Sequence, residues 1–284
     1  MTKLFEGKRL AGEMLDDLKS QALDFESKYN RKLTLAAVQI GDLAENSKYL
    51  SLKIKVFSQA GAEVKLFQYG SGKAVEEYIS EIEKLNNDPT LDGIMIQLPL
   101  GSNVNDFDRE KIISTIDSSK DVDGMKEGSG FTAPVVLAVL RALKEAGNYL
   151  ELSSKSLSIL VLGSHGFVGR KIMNNLVDRE RGTKLTGLGN YELMGIDIES
   201  INRLKDEVKR ADVVITTTGT SGLISADWVK NSFVGIDVGA PDAEFAEGCS
   251  EKASFMTPVP GGVGPLTISY LLGNLLKVRN TVDR

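Results

Sequence analysis

The chain has 284 residues, 42% of them hydrophobic and 26% charged, with a net charge of -5. That balance belongs to a globular protein long enough for two modest domains, not to a disordered or membrane chain. Its basic residues are scattered and outnumbered, which leaves no electrostatic footprint for nucleic acid or anionic lipid.

At the start, Met1 to Lys8 is polar and mixed in charge, without the apolar core of a signal peptide. No later stretch reaches membrane-spanning length, so cytoplasmic residence is the expectation. From about Gly7 to Tyr29, apolar positions at helical spacing among many charges predict a long amphipathic helix over a sheet. The runs Leu33 to Ile40, Glu63 to Phe67 and Gly93 to Leu98 are short and apolar. Helical segments near Ser47 to Ala60 and Val75 to Leu85 separate them, and this alternation predicts a mostly parallel sheet. Thr132 and Pro134 open a connecting helix within Phe131 to Gly147. A second series of strands follows at Leu157 to Leu162, Lys184 to Leu188, Val213 to Thr217 and Phe233 to Val238, with helices between. A last helix, Leu266 to Val278, returns toward the first domain. The fold class is α/β: two α/β domains around a cleft, residues 1–121 plus 263–284 and residues 135–260, the second Rossmann-like.

The stretch from Ser158 through Gly163-Ser164-His165-Gly166 to Gly169 is an apolar strand feeding a glycine-spaced turn and then a helix. Glycines let the backbone approach a pyrophosphate, and amides at a helix start favour its charge. The spacing is G-x-x-G-x-x-G, so a merely tight turn is the competing reading. His165, the chain's one imidazole, sits where it would touch a cofactor or simply face solvent, and it is given no catalytic role. With the single cysteine, Cys249, it cannot form a Cys/His zinc site, and no metal is expected. After the expected second strand the chain reads Leu188-Gly189-Asn190-Tyr191-Glu192. Neither a clear acid nor an arginine ends that strand, which leaves NAD against NADP open.

Polar groups also stand where plain structure does not need them. Tyr49 and Lys53 are four apart on one helix face, able to aim a phenol and an amine at one atom or else to face solvent. Gln97-Leu98-Pro99 ends an apolar strand, where open α/β sheets hold ligands. Lys120-Asp121-Val122-Asp123-Gly124 puts two carboxylates in a turn, read as a solvated turn or half a metal site. Thr257 to Thr267 packs three prolines and three glycines into eleven residues and leads into a helix.

Together these motifs, in this order and spanning about Leu35 to Asn274, resemble the bifunctional methylenetetrahydrofolate dehydrogenase/methenyltetrahydrofolate cyclohydrolase family. The resemblance implies that Lys53 is catalytic, with Tyr49 against the folate, Gln97 tuning the lysine and Asp123 gripping the pterin edge. Leu98, Pro99 and the Pro260-Gly261-Gly262-Val263-Gly264 loop would line the folate site. Gly163, Ser164, His165, Asn190 and Ala240 match cofactor contacts. It further implies tetrahydrofolate derivatives as substrates, NADP with NAD as the alternative, and a homodimer formed through the cofactor domain. The chain departs from the family's Gly-Arg-Ser at Gly163-Ser164-His165 and from its Cys-His-Ser at Leu188-Gly189-Asn190. Because those departures fall around the cofactor, a cyclohydrolase alone or a non-catalytic folate- or nucleotide-binding protein is the alternative.

Overall fold

Two parallel sheets organise the computed structural model, which describes residues 1–41, 46–102, 104–150, 156–177, 179–198 and 201–282. In chain order the elements are β1 (Lys3–Leu4), α1 (Gly7–Tyr29), β2 (Thr34–Ile40), α2 (Asn46–Gln59), β3 (Glu63–Tyr69), α3 (Val75–Asn87), β4 (Gly93–Ile96) and α4 (Asp106–Ser114). Then come α5 (Pro134–Ala146), β5 (Leu157–Leu162), α6 (Phe167–Leu176), α7 (Arg179–Thr186), β6 (Tyr191–Ile196), α8 (Ile201–Arg210) and β7 (Val213–Thr216). The chain closes with β8 (Phe233–Asp237), α9 (Cys249–Lys252), β9 (Ala253–Met256) and α10 (Val263–Val282).

The chain divides into two units, one of residues 12–134 and 268–284, the other of residues 1–11 and 135–267. In the first, a three-stranded sheet runs β3-β2-β4. Its middle strand β2 is buried along its whole length, which explains its nearly unbroken apolar run. Leu18, Ala22 and Phe25 of α1, at helical spacing, pack into the same core as Leu35 and Ala37 of β2 and Leu272 and Leu275 of α10.

The second unit holds a six-stranded sheet in the order β1-β9-β8-β7-β5-β6. The sequence assigns residues 1–11 to the first domain, but β1 pairs with β9 and the Lys8 amide donates to the Gly261 carbonyl at 2.9 Å, which ties them to this unit. Gly7 admits that approach, since a Cβ there would lie 2.0 Å from the Gly262 oxygen.

The strand expected at Lys184 to Leu188 is not one. Those residues end α7 and the turn after it, and the second strand of this unit is β6, at Tyr191–Ile196. As the sheet's edge strand β6 is partly exposed, with Glu192 and Met194 outward, so its apolar signal is weaker than that of the buried strands.

Candidate active site

Helix α2 turns Leu50, Lys53 and Phe57 toward the core, so a lysine occupies a position that helical spacing reserves for an apolar side chain. Lys53 is only 6% exposed. Its Nζ donates to Gln97 Oε1 at 3.0 Å, lies 3.1 Å from Met95 Sδ and stands 4.7 Å from the centre of the Tyr49 ring. Met95 and Gln97 are two apart along and just beyond β4, and the pleat puts both on the face that α2 covers. Gln97 Nε2 donates to the Leu98 carbonyl at 2.9 Å, which holds the amide with its oxygen toward the amine. Leu98 is half-buried and Pro99 exposed, at the rim.

Burial holds the Lys53 amine below the usual lysine range, and the charge of Asp123 pulls it partly back. The two carboxylates of the Lys120 to Gly124 turn have separate duties. Asp121 is fully buried and accepts from the Met125 and Lys126 amides at 2.9 and 3.1 Å, so it shapes the turn. Asp123 is half-buried and acts electrostatically on Lys53. Gly124 makes the turn possible: its φ is +59°, and a Cβ would meet the Ala133 nitrogen and Phe131 oxygen at 2.7 Å. The result is an amine kept from full hydration, held by the Gln97 oxygen and the Met95 sulfur and faced by the Asp123 carboxylate. Such a group gives up its proton more readily than an exposed lysine does.

In the other unit the strands are parallel, so their carboxyl ends share one edge. The turn after β5 is tight because its glycines are in contact: a Cβ on Gly169 would lie 2.1 Å from the Gly163 oxygen, and one on Gly163 would meet Thr217 at 2.9 Å. No side chain caps α6, whose N-cap is Gly166. A helix start of this kind, reached through a bare glycine turn, fits the pyrophosphate of a dinucleotide.

Two further buried carboxylates set the neighbouring loops. Glu244 accepts from the Thr218 and Gly219 amides at 2.9 Å, and Asp237 accepts from Gly239 and Glu244 at 2.8 and 2.9 Å. Burial pushes the Asp237 carboxyl up. Ala240, beyond this bracing, is exposed at the same sheet edge.

The Pro260 to Gly264 stretch begins from a fixed point, because Thr257 Oγ1 accepts from the Asp237 amide at 2.7 Å. Gly262 donates to the Pro258 carbonyl at 2.8 Å, and Gly261 has φ +109°. Helix α10 starts at Val263, three residues earlier than expected, so Val263 and Gly264 belong to its first turn and Val263 is buried. Pro260 is exposed and Gly261 half-exposed.

Residues 5–123 match the model of the tetrahydrofolate dehydrogenase/cyclohydrolase catalytic domain, and residues 136–282 match that of the family's NAD(P)-binding domain. The chain belongs to the tetrahydrofolate dehydrogenase/cyclohydrolase family. It is 33% identical over 291 residues to the Bifunctional protein FolD of Fusobacterium nucleatum, covering 96% of each chain. Among solved structures it is similar to a 5,10-methylenetetrahydrofolate dehydrogenase of the silkworm Bombyx mori, at TM-score 0.85 and 27% identity with 100% of both chains covered. The methylenetetrahydrofolate dehydrogenase/cyclohydrolase FolD of Campylobacter jejuni gives TM-score 0.83 and 27% identity, over 99% of this chain and 100% of that one. Dehydrogenase and cyclohydrolase, with an NAD(P)-binding domain, are therefore the activities of this family member, in preference to a cyclohydrolase alone or a non-catalytic binding protein.

Within that family assignment Asn190 loses its place at the cofactor. It precedes β6, and its carbonyl accepts from the Leu157 amide at the start of β5. That is the amino end of both strands, about 20 Å along the pleat from Gly163. The expectation failed because it rested on a strand ending at Leu188. Sequence reading also missed Thr217, Glu244 and Asp197. Thr216-Thr217-Thr218-Gly219 after an apolar run was a visible sign of the first. Glu244 carries no local sign, since its partners are 25 to 28 residues away. Asp197 was hidden by the misplaced strand.

Proposed function

We propose that this chain oxidises 5,10-methylenetetrahydrofolate to the 5,10-methenyl form with NAD(P)+ and hydrolyses that form to 10-formyltetrahydrofolate, with Lys53 managing the protons of hydrolysis. The observation that carries the reading is the Lys53 amine, buried yet held 3.0 Å from Gln97 Oε1.

In hydrolysis, water adds to the methenyl carbon and a C–O bond forms as neutral Lys53 accepts a proton from the water. The C–N5 bond of the resulting carbinolamine then breaks, and the lysine ammonium returns a proton to the departing nitrogen. The carbinol O–H proton is released, leaving the formyl group on N10. Gln97 keeps the amine aimed through both proton transfers, and Asp123 steadies the ammonium between them. When bound, the nicotinamide supplies the hydride acceptor for the oxidation. That step needs no base, so the chain's contribution is alignment and charge. A neutral Lys53 does not repel the cationic methenyl product, and Asp123 favours it. Tyr49 offers its ring to the folate, Asp123 offers the pterin edge a carboxylate acceptor, and Leu98 and Pro99 line the rim of the Lys53 pocket.

Formation of reduced cofactor from methylenetetrahydrofolate and decay of methenyltetrahydrofolate, followed in one preparation, test the reading. Both are expected, and turnover in neither assay overturns it.

Family likeness also leads us to place the protein in the cytoplasm as a homodimer joined through its cofactor unit. Among the described residues no helix is long and apolar enough to cross a membrane. Sedimentation equilibrium at a mass near twice 30.8 kDa is the expected result.

A further inference from the structure

Asp197 follows directly on the carboxyl end of β6. Leu162 of β5 is in register with Ile196 of β6, and the Gly163 amide donates to the Ile196 carbonyl at 2.9 Å. Gly163 and Asp197 therefore leave the sheet side by side. The Asp197 carboxylate turns into the glycine turn, where it accepts from Ser164 Oγ at 3.1 Å and from the His165 amide at 3.2 Å, and pairs with His165 Nδ1. The turn is pressed onto the strand, because a Cβ on Gly195 would stand 2.6 Å from that of Ser164. Asp197 is thus part of the turn, with its side chain 23% exposed, whereas the imidazole above it is 90% exposed and can swing away without breaking any packing.

We infer that Asp197 makes NAD, not NADP, the preferred cofactor of this chain. The inference deepens the reading of the Gly163 to Gly169 turn as the dinucleotide site and rests on it. An acid at the end of the second strand accepts hydrogen bonds from the ribose hydroxyls. A 2′-phosphate in that place sets two negative charges against a carboxylate, and like charges at a binding surface weaken association strongly. Nothing in the turn offsets this, since Gly163 to Gly169 contains no lysine or arginine.

Calorimetric titration of the unaltered protein with NAD+ and with NADP+, in the absence of folate, reads the preference directly. NAD+ is expected to bind about a hundredfold more tightly. Asp197→Ser is expected to weaken NAD+ binding about tenfold and to narrow the ratio of the two affinities toward one. Asp197→Asn, which keeps the shape and the hydrogen bonds, should narrow it also, and a thermal melt of each variant establishes that it folds. The ratio of kcat/KM values for the two cofactors should follow the binding ratio. Equal or tighter binding of NADP+ by the unaltered protein overturns the inference. So does an unchanged ratio in Asp197→Asn. If neither cofactor binds, the dinucleotide reading of the turn falls, and the inference with it.

Discussion

The Lys53 pocket and the Gly163 turn do their work with different parts of the chain. Around Lys53 the chemistry is in side chains: an amine among apolar neighbours, an amide 3.0 Å away and a carboxylate that acts on it electrostatically. At Gly163 it is in the main chain, where absent side chains let the turn close to within 2.1 Å of a would-be Cβ and leave a helix start without a side-chain cap. The first kind of site tolerates a shift of the surrounding backbone poorly but is announced by its residue types. The second is announced only by spacing.

Substitutions should separate the two sites. The largest effect is expected from Lys53→Met, which removes the proposed base: methenyl hydrolysis should fall by about 10²- to 10⁴-fold while folate binding, followed by equilibrium titration, is largely kept. Gly169→Ala should act on the other site alone. Its Cβ forces the Gly163 carbonyl away, costing about 1 to 3 kcal/mol in denaturant unfolding and abolishing dinucleotide binding. Gln97→Ala frees the Lys53 amine from its acceptor, and hydrolysis should drop about tenfold with little change in cofactor affinity. Asn190→Ala is expected to change neither cofactor affinity nor turnover. A loss of NAD(P)+ binding there would contradict the placement of Asn190 at the far end of β5 and β6.

Lys53→Met should also change how stability depends on pH. The native amine holds its proton less well than the unfolded one, so between the two values the unfolded chain binds more protons and unfolding free energy rises with pH. The burden of a buried ammonium is full below the native value and gone above the unfolded lysine value of about 10.5. Lys53→Met is therefore expected to gain stability over the unaltered protein at low pH, with the gain shrinking as pH rises. Denaturation curves across that range check it, and a constant difference would show that burial does not perturb the lysine.

Most of the architecture was legible because buried strands and amphipathic helices impose a period on their residues. α1 and β5 lie at the limits that their apolar spacing predicts. β6 was displaced because it is an edge strand with Glu192 outward, while Lys184 to Leu188 imitates a short apolar run at the end of α7. That single displacement moved a cofactor assignment onto Asn190 and concealed Asp197. On the folate side Lys53 and Gln97 were visible as polar residues interrupting otherwise apolar patterns, and they lie 3.0 Å apart. The pairing of β1 with β9 was invisible because two residues carry no periodicity. Bracing by Glu244 likewise joins parts of the chain that no local pattern connects.

The proposed role of Lys53 as a base rests on an amine whose pKa burial lowers, and its titration can be observed. Carbon-13 labelling of the lysine ε-methylenes, with Lys53→Met supplying the assignment, follows the Lys53 resonance through a pH series. Deprotonation well below the ordinary 10.5 is the predicted result. Titration at or above that value would mean a charged Lys53 at working pH, and it could not then be the base that hydrolyses the methenyl group.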